Sequence, residues 1–281
     1  MAWGMWRFRG DDLAAATALV ETALEIGVTL FDTADIYGPD NGEPFGAAEA
    51  LLGQVFAQSP ALRDRMVLAT KGGIEMGTPY NSGAAYITIA VEASLRRMGV
   101  ERIDLYQIHR PDHLAHPAEL AGALAKLRDA GKIAEVGVSN HTPAQVAALA
   151  AHLPFPLATV QPEFSPLTID PLYDGVLDQA LELGLGVLAW SPLAGGRLAA
   201  AAPEGRAAEV TQVLDDIARD QGVTRSAVAY AWIMAHPAKP IPIIGSQQVD
   251  RIREAGQALT VTLTRTEWYR ILTAARGTPL P

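Results

Sequence analysis

The chain contains no cysteine among its 281 residues. Disulfide frameworks, thiolate metal sites and cysteine nucleophiles are therefore excluded as explanations of its function. Basic residues are also few, because 22 Lys and Arg oppose 31 Asp and Glu, and no basic run forms a stripe. With a net charge of −9, the protein is not expected to bind nucleic acid or an anionic membrane surface.

Long apolar runs are missing as well. No stretch is long enough to span a bilayer, and the first residues lack the charged and apolar regions of a signal peptide. We therefore expect a cytoplasmic protein, present as a monomer or a weak homo-oligomer. What the chain does have is 49% hydrophobic and only 19% charged residues, a composition typical of a large buried core.

Short apolar runs alternate with amphipathic stretches almost to the end of the chain, which indicates repeated βα units. The predicted strands cover residues 3–6, 28–32, 66–71, 103–109, 135–139, 159–163, 186–191 and 241–245. The predicted helices cover residues 12–26, 44–56, 86–98, 117–130, 143–152, 174–183, a double stretch at 206–236, 250–258 and 264–275. Eight such units predict an α/β fold: a (β/α)8 barrel forming one domain over residues 1–281, with a short extra helix at the carboxyl end.

Three of the predicted strands end in a residue that can do proton chemistry. These residues are Asp32, Lys71 and His109, and Tyr37 follows Asp32 by five positions. Because the carboxyl ends of parallel strands open at one mouth of a barrel, the four side chains are expected to converge there. An ammonium lowers the pKa of a neighbouring tyrosine, a carboxylate keeps that ammonium charged, and a histidine can donate to a developing oxyanion.

This pattern resembles the aldo-keto reductases, whose catalytic tetrad is Asp, Tyr, Lys and His with the same aspartate-to-tyrosine spacing. The resemblance covers residues 4–275, and segments 191–197 and 263–268 are most similar to bacterial oxidoreductases close to the potassium-channel β-subunit-like group. It implies NADPH-dependent reduction of a small-molecule aldehyde or ketone to an alcohol. In that reaction the hydride would come from the nicotinamide and the proton from Tyr37.

The resemblance also implies where NADPH or NADP+ binds. Ser139, Asn140 and Gln161 would bind the nicotinamide carboxamide, and Trp190 would stack on the nicotinamide ring. Residues 193–197 would take the diphosphate. The complete set of cofactor-binding residues that the resemblance implies is Met5, Trp6, Asp32, Ser139, Asn140, Gln161, Trp190, Ser191, Pro192, Leu193, Gly195, Arg197, Gly245, Ser246, Arg251 and Glu254.

Recognition of the adenosine 2′-phosphate is implied for Ser246 and Arg251, with Glu254 near the adenine. The family often has a basic residue where this chain has Gly245, so phosphate recognition rests here on fewer groups. Arg253 is one candidate for a compensating cation.

A metal site is one alternative. His109, His113 and His116 are spaced like metal ligands on a helix, but Pro111 and Pro117 break that helix, and we expect no bound metal.

Two further alternatives concern the same barrel. Lys71 could form a Schiff base, but that chemistry needs a neutral amine, and Asp32 favours the ammonium. The protein could also be an NADPH-binding, redox-sensing subunit with weak turnover. Such a subunit would have the same tetrad, so the sequence leaves this alternative open.

Overall fold

The computed structural model describes the whole chain, residues 1–281. Eight parallel strands form a closed barrel in chain order, so the predicted (β/α)8 fold is confirmed. Its residues group into two compact units, which are Met1–Gln161 with Gly245–Gln247, and Pro162–Ile244 with Gln248–Pro281. That the chain forms one domain stays a prediction. None of the helices is both long and apolar enough to cross a membrane.

All eight predicted strands are present, with shifted ends. The strands are β1 (Ala2–Gly4), β2 (Leu30–Asp32), β3 (Val67–Gly72), β4 (Ile103–Ile108), β5 (Ile133–Ser139), β6 (Thr159–Gln161), β7 (Gly186–Ala189) and β8 (Ile241–Ile244). β7 ends two residues earlier than predicted, because Ser191 adopts a left-handed backbone with φ of 53°. β6 is also shorter than predicted, and beyond it only an isolated bridge joins Glu163 to Trp190.

The predicted helices are also present. They are α1 (Leu13–Glu25), α2 (Ala47–Gln58), α3 (Ala84–Met98), α4 (Pro117–Asp129), α5 (Pro143–Ala150), α6 (Val176–Leu183), α7 (Arg206–Gln221), α8 (Arg225–Met234), α9 (Val249–Ala255) and α10 (Arg265–Arg276). α2 begins three residues later than predicted, because Gly46 adopts a left-handed backbone with φ of 81° directly before it.

Local sequence signals account for several helix starts. The Asp12 carboxylate accepts a hydrogen bond from the Ala15 N–H at the start of α1. Thr142 and Thr264 each form a capping box with the residue three positions later. Such bonds satisfy backbone donors that a helix leaves unpaired at its first turn.

The register of the first strands places the candidate site. Asp32 of β2 pairs with Ala69 of β3, and Lys71 of β3 pairs with Gln107 of β4. Side chains alternate between the two faces of a strand, so neighbours along the chain point in opposite directions. The side chains of Thr70 and Lys71 therefore lie on opposite faces of β3.

Candidate active site

A buried ion pair forms the centre of the site. Lys71 Nζ lies 2.6 Å from Asp32 Oδ2 and donates a second bond of 2.8 Å to the carbonyl oxygen of Thr33. Neither side chain is more than 3% exposed. Burial alone would lower the pKa of Lys71, but the charges of Asp32 and Tyr37 outweigh it and the pKa is raised. Lys71 therefore stays an ammonium.

Tyr37 enters the site from the loop between β2 and α2. Its ring centre lies 5.0 Å from Lys71 Nζ. The sequence predicted a lowered tyrosine pKa, and the structure corrects that prediction. Burial raises the pKa of Tyr37 above its ordinary value of 10.0, and the lowering effect of Lys71 is smaller. The side chain therefore holds its proton and is available as a donor.

His109 follows the end of β4 and faces Tyr37. The two ring centres are 5.9 Å apart in an edge-to-face arrangement. The backbone N–H of His109 donates to the Gly72 carbonyl oxygen. Burial, followed by the charges of Lys71 and Arg110, lowers the pKa of His109 well below 6.5. Its Nδ1 is buried without a hydrogen-bond partner in the protein. The imidazole is therefore neutral and retains hydrogen-bonding capacity for a ligand.

Two glutamines complete the surroundings of Asp32. Gln107 Nε2 and Gln161 Nε2 both donate to Asp32 Oδ1, at 3.0 and 3.2 Å. Gln161 Nε2 also lies 3.2 Å from Gln107 Oε1. Sequence reasoning assigned Gln161 to the cofactor and missed Gln107. Gln107 could have been recognised from the sequence as a polar residue inside an apolar strand. It lies two positions before His109 and thus on the same face of the strand.

The ends of β5 and β6 add a small polar group beside His109. Asn140 Nδ2 donates to Ser139 Oγ at 2.8 Å and lies 3.3 Å from the His109 carbonyl oxygen. Ser139 Oγ in turn donates to the Gln161 carbonyl oxygen at 3.0 Å. Asn140 adopts a left-handed backbone with φ of 59°, which turns the chain away from the strand at this point. The structure therefore brings three of the predicted carboxamide-binding residues to the tetrad.

The residues after β1 lie beside the loop that follows β8. Met5 is fully buried, whereas Trp6 is 40% exposed and carries the Arg7 guanidinium over its ring at 4.5 Å. A Cβ atom at Gly245 would lie 3.6 Å from Arg7 Nη1. The Ser246 carbonyl oxygen accepts a hydrogen bond from the Trp3 indole. Arg7, which the sequence did not single out, thus puts a cation beside the position where the family often has a basic residue.

In the second unit, the segment after β7 makes tight turns. The backbone is left-handed at Ser191, Ala194, Gly195 and Gly196. The Gly195 N–H donates to Ser191 Oγ at 2.7 Å, and Arg197 Nε donates to the Ala194 carbonyl oxygen at 3.1 Å. The N–H groups of Ala194 and Gly196 also donate within the segment, to the Ser191 and Leu193 carbonyl oxygens. The predicted cofactor residues of this unit are Trp190, Ser191, Pro192, Leu193, Gly195 and Arg197 around β7, with Arg251 and Glu254 exposed on α9.

The histidines of the metal alternative have separate surroundings. His116 Nδ1 accepts from the Ala118 N–H at the start of α4, and its ring lies 5.9 Å from that of His152. His113 is exposed. No group of three or more His, Asp or Glu side chains is arranged to hold a metal ion.

Known proteins are similar to this chain over nearly its whole length. The chain matches the Aldo/keto reductase family over residues 1–275. It is 54% identical over 284 residues to the 6-dehydroglucose reductase of Novosphingobium aromaticivorans, covering 100% of this chain and 93% of that protein. A 6-dehydroglucose reductase of Agrobacterium fabrum is 39% identical, covering 99% and 94%. The oxidoreductase YdhF of Escherichia coli is 37% identical, with the same coverage.

Among solved structures, a thermostable aldo-keto reductase, Tm1743, in complex with the inhibitor epalrestat has a TM-score of 0.82. It covers 97% of this chain and 94% of its own, at 24% identity, and so supports the fold. The family match over nearly the whole chain and the relatives above 30% identity establish the rest: this protein is an oxidoreductase that belongs to the aldo/keto reductase family.

Proposed function

We propose that the protein reduces a carbonyl group to an alcohol with NADPH, and that Tyr37 donates the proton. One observation carries the proposal. The phenol of Tyr37, still protonated, lies against the buried Lys71–Asp32 pair and faces the neutral ring of His109. That arrangement provides a proton, a cation to balance the charge left behind, and a hydrogen-bonding group for the carbonyl oxygen.

Each side chain has a distinct task in the reaction. A nicotinamide cofactor, when bound, would supply the hydride for the carbonyl carbon. Tyr37 transfers its proton to the carbonyl oxygen, and the Lys71 ammonium stabilises the resulting phenolate. Asp32 keeps that ammonium charged. His109 donates a hydrogen bond to the carbonyl oxygen, where negative charge develops, and so orients the substrate.

Members of this family generally use a nicotinamide cofactor, and the residues present suit NADPH. The amides and hydroxyl of Ser139, Asn140 and Gln161 can pair with a carboxamide, and Trp190 offers a flat ring for stacking. In our proposal, the Arg7 guanidinium beside Gly245 acts together with Ser246 and Arg251 on the 2′-phosphate. A guanidinium is suited to a phosphate because its donors form a planar fork.

The substrate class that we propose is a sugar oxidised to a carbonyl compound, with 6-dehydroglucose as the first candidate. Two relatives that match almost the entire chain carry that name. The ring of Trp6 is 40% exposed although the Arg7 guanidinium lies over it at 4.5 Å, and its Nε1 lies 3.4 Å from Asp40 Oδ2. An aromatic face next to a carboxylate suits a sugar, which has both C–H faces and hydroxyl donors.

The test of the reaction is NADPH oxidation with 6-dehydroglucose, simple aldehydes, ketones and dicarbonyls. Tyr37→Phe should lower the rate by at least about 100-fold, because general acid catalysis contributes about 10²–10⁴-fold. NADPH affinity, followed by tryptophan fluorescence, should be unchanged. Tyr173→Phe, at an exposed tyrosine, is the matched control. Full activity of Tyr37→Phe would contradict the proposal, and NADPH binding without any turnover would favour the redox-sensing subunit.

Cofactor choice is tested by measuring the dissociation constants of NADPH and NADH. NADPH should bind about 10- to 100-fold more tightly, because a hydrogen bond to a charged group contributes about 1.5–3 kcal/mol. Arg7→Ala and Arg251→Ala should each reduce this preference by weakening NADPH binding alone. Arg9→Ala, whose guanidinium donates to the Asn41 carbonyl oxygen, is the control. Equal affinity for the two cofactors in the unmutated protein would refute the assignment.

A further inference from the structure

Glu49, in the first turn of α2, is a fully buried carboxylate outside the tetrad. Thr70 Oγ1 donates to its Oε1 at 2.6 Å, and Arg97 Nε donates to its Oε2 at 2.6 Å. One side chain thus joins three elements: α2, which carries it, β3 through Thr70, and α3 through Arg97. A buried carboxylate is costly unless it is paired in this way.

Arg97 is itself held in place across the start of α2. Its guanidinium lies 5.6 Å from the centre of the Phe45 ring, and its Nη2 donates to Ser94 Oγ at 3.2 Å. A Cβ atom at Gly46 would lie only 2.5 Å from Arg97 Cδ. The Arg97 side chain therefore lies directly against the residue that precedes α2.

Glu49, Thr70 and Arg97 together form what we call the Glu49 junction, and this junction is directly connected to two tetrad residues. Ala48, its neighbour on α2, donates its N–H to the Tyr37 carbonyl oxygen at 3.2 Å. Thr70, its partner on β3, directly precedes Lys71 in the chain. The Asp35 N–H donates to the Lys71 carbonyl oxygen at 3.0 Å. The segment that carries Tyr37 is therefore tied to the strand that carries Lys71 both directly and through Glu49.

We propose that Glu49 is a positioning residue, which sets the distance between the phenol of Tyr37 and the ammonium of Lys71 by locking the start of α2 to β3 and α3. This inference rests on the proposed reduction, since that reaction requires the phenol and the ammonium to be in contact. Glu49 acts through the backbone and touches neither Tyr37 nor Lys71 in any hydrogen bond of the junction.

A second ion pair, bonded to the beginning of β3, provides the control. Asp104 Oδ2 accepts from the Leu68 N–H at 2.8 Å and pairs with Arg63 at 2.8 Å. This ion pair ties the beginning of β3, whereas Glu49 ties its end near Lys71. If ion pairs around β3 matter only for stability, Asp104→Asn and Glu49→Gln should have the same effect on kinetics.

The experiment compares Glu49→Gln and Asp104→Asn in the full-length protein. For Glu49→Gln we expect kcat to fall by about 10- to 100-fold, since a misplacement of about 1 Å can cost about 10²-fold. KM and the NADPH dissociation constant should stay within about twofold of the unmutated values. Asp104→Asn should keep the original kcat.

A readout without turnover separates this inference from the proposed reaction. In protein labelled with 3-fluorotyrosine, the ¹⁹F signal of residue 37, assigned with Tyr37→Phe, reports its titration. Glu49→Gln should raise the pKa of that phenol, because Lys71 no longer stays close enough to favour the phenolate. A shifted pKa in a protein that reduces no carbonyl would refute the reaction while supporting the positioning role.

Thr70 supplies a milder variant, so the test stands even if Glu49→Gln does not fold. Thr70→Val removes one bond to Glu49 without changing the shape of the side chain, and should lower kcat. Thr70→Ser keeps the hydroxyl and should restore it. The positioning role is overturned if folded Glu49→Gln, or Thr70→Val in its place, keeps the original kcat and phenol pKa. Equal loss of kcat in Asp104→Asn would overturn it too.

Discussion

Asp32 and Asp35 lie three residues apart and are both buried, yet their carboxyl groups have opposite surroundings. Asp32 accepts hydrogen bonds from Lys71, Gln107 and Gln161, so both of its oxygens are occupied. Neither oxygen of Asp35 has a hydrogen-bond partner in the protein. The Asp32 carboxylate is thus paired with a cation and two amide donors, whereas the Asp35 carboxyl group has no hydrogen-bond partner.

The difference shows how the fold distributes charge across β3. On one face, the Lys71 ammonium compensates Asp32. On the other, Arg97 is already paired with Glu49, which leaves no cation bonded to Asp35. Burial, followed by repulsion from Glu49, raises the pKa of Asp35 well above 3.8. Asp32 therefore works as a charge, whereas Asp35 is best accommodated as a neutral acid.

Lys71→Met breaks the comparison most strongly, because it removes the cation that is paired with Asp32 and leaves only the two glutamine amides bonded to this buried carboxylate. Removing one partner of a buried ion pair commonly costs about 3–5 kcal/mol. We expect a loss of that size in the free energy of unfolding, measured by urea denaturation at neutral pH, together with loss of carbonyl reduction. Asp35→Asn is the control and should not destabilise the protein comparably. A stable, active Lys71→Met would show that the ion pair is not needed.

Gly72→Ala tests the packing beside Asp35. A Cβ atom there would lie 2.1 Å from the Tyr106 hydroxyl oxygen and 3.1 Å from Asp35 Oδ2. We expect a loss of about 1–3 kcal/mol in unfolding free energy, the usual cost of overpacking. Tyr106→Phe removes the nearer atom, so the double variant should recover part of the loss. Additive losses in the double variant would mean that the hydroxyl is not the obstacle.

The pH dependence of stability sharpens the contrast between the two carboxyl groups. The pKa of Asp35 is raised on folding, so between 3.8 and that higher value the folded protein binds more protons than the unfolded chain. Stability should therefore fall as pH rises through this window, by up to about 1.4 kcal/mol per pH unit. Asp35→Asn should lack this contribution. As pH rises, the unfolding free energy of the variant should therefore increase relative to that of the unmutated protein. Parallel pH curves would contradict the assignment.

The alternation of apolar runs and amphipathic stretches was enough to predict eight strands and the barrel, since it depends only on local periodicity. The tetrad positions followed from strand ends and family spacing. Glu49 escaped notice because, within an amphipathic helix, it looks like any solvated charge, and only the approach of β3 and α3 buries it. Arg7 was missed because its neighbour Gly245 is distant in sequence. The pKa direction of Tyr37 was wrong because the extent of burial cannot be read from the residues around it.

His109 extends the comparison to a basic side chain near Lys71, which would carry a positive charge only if it were protonated. Burial opposes a positive charge on the His109 ring, and the ammonium that stabilises Asp32 opposes it further, so the pKa of His109 is lowered well below 6.5. Below pH 6.5 the unfolded chain then binds more protons than the folded protein, and stability should fall as pH falls.

The usable window from pH 6.5 to 5 limits the expected effect to about 2 kcal/mol. His109→Gln keeps a hydrogen-bonding side chain without the titration, and its unfolding free energy should be flatter across this window. Urea denaturation of both proteins at pH 7, 6 and 5 measures the difference. If the two curves stay parallel, His109 is not held neutral by burial and the neighbouring cations, and its role as a neutral hydrogen-bond donor to the substrate must be reconsidered.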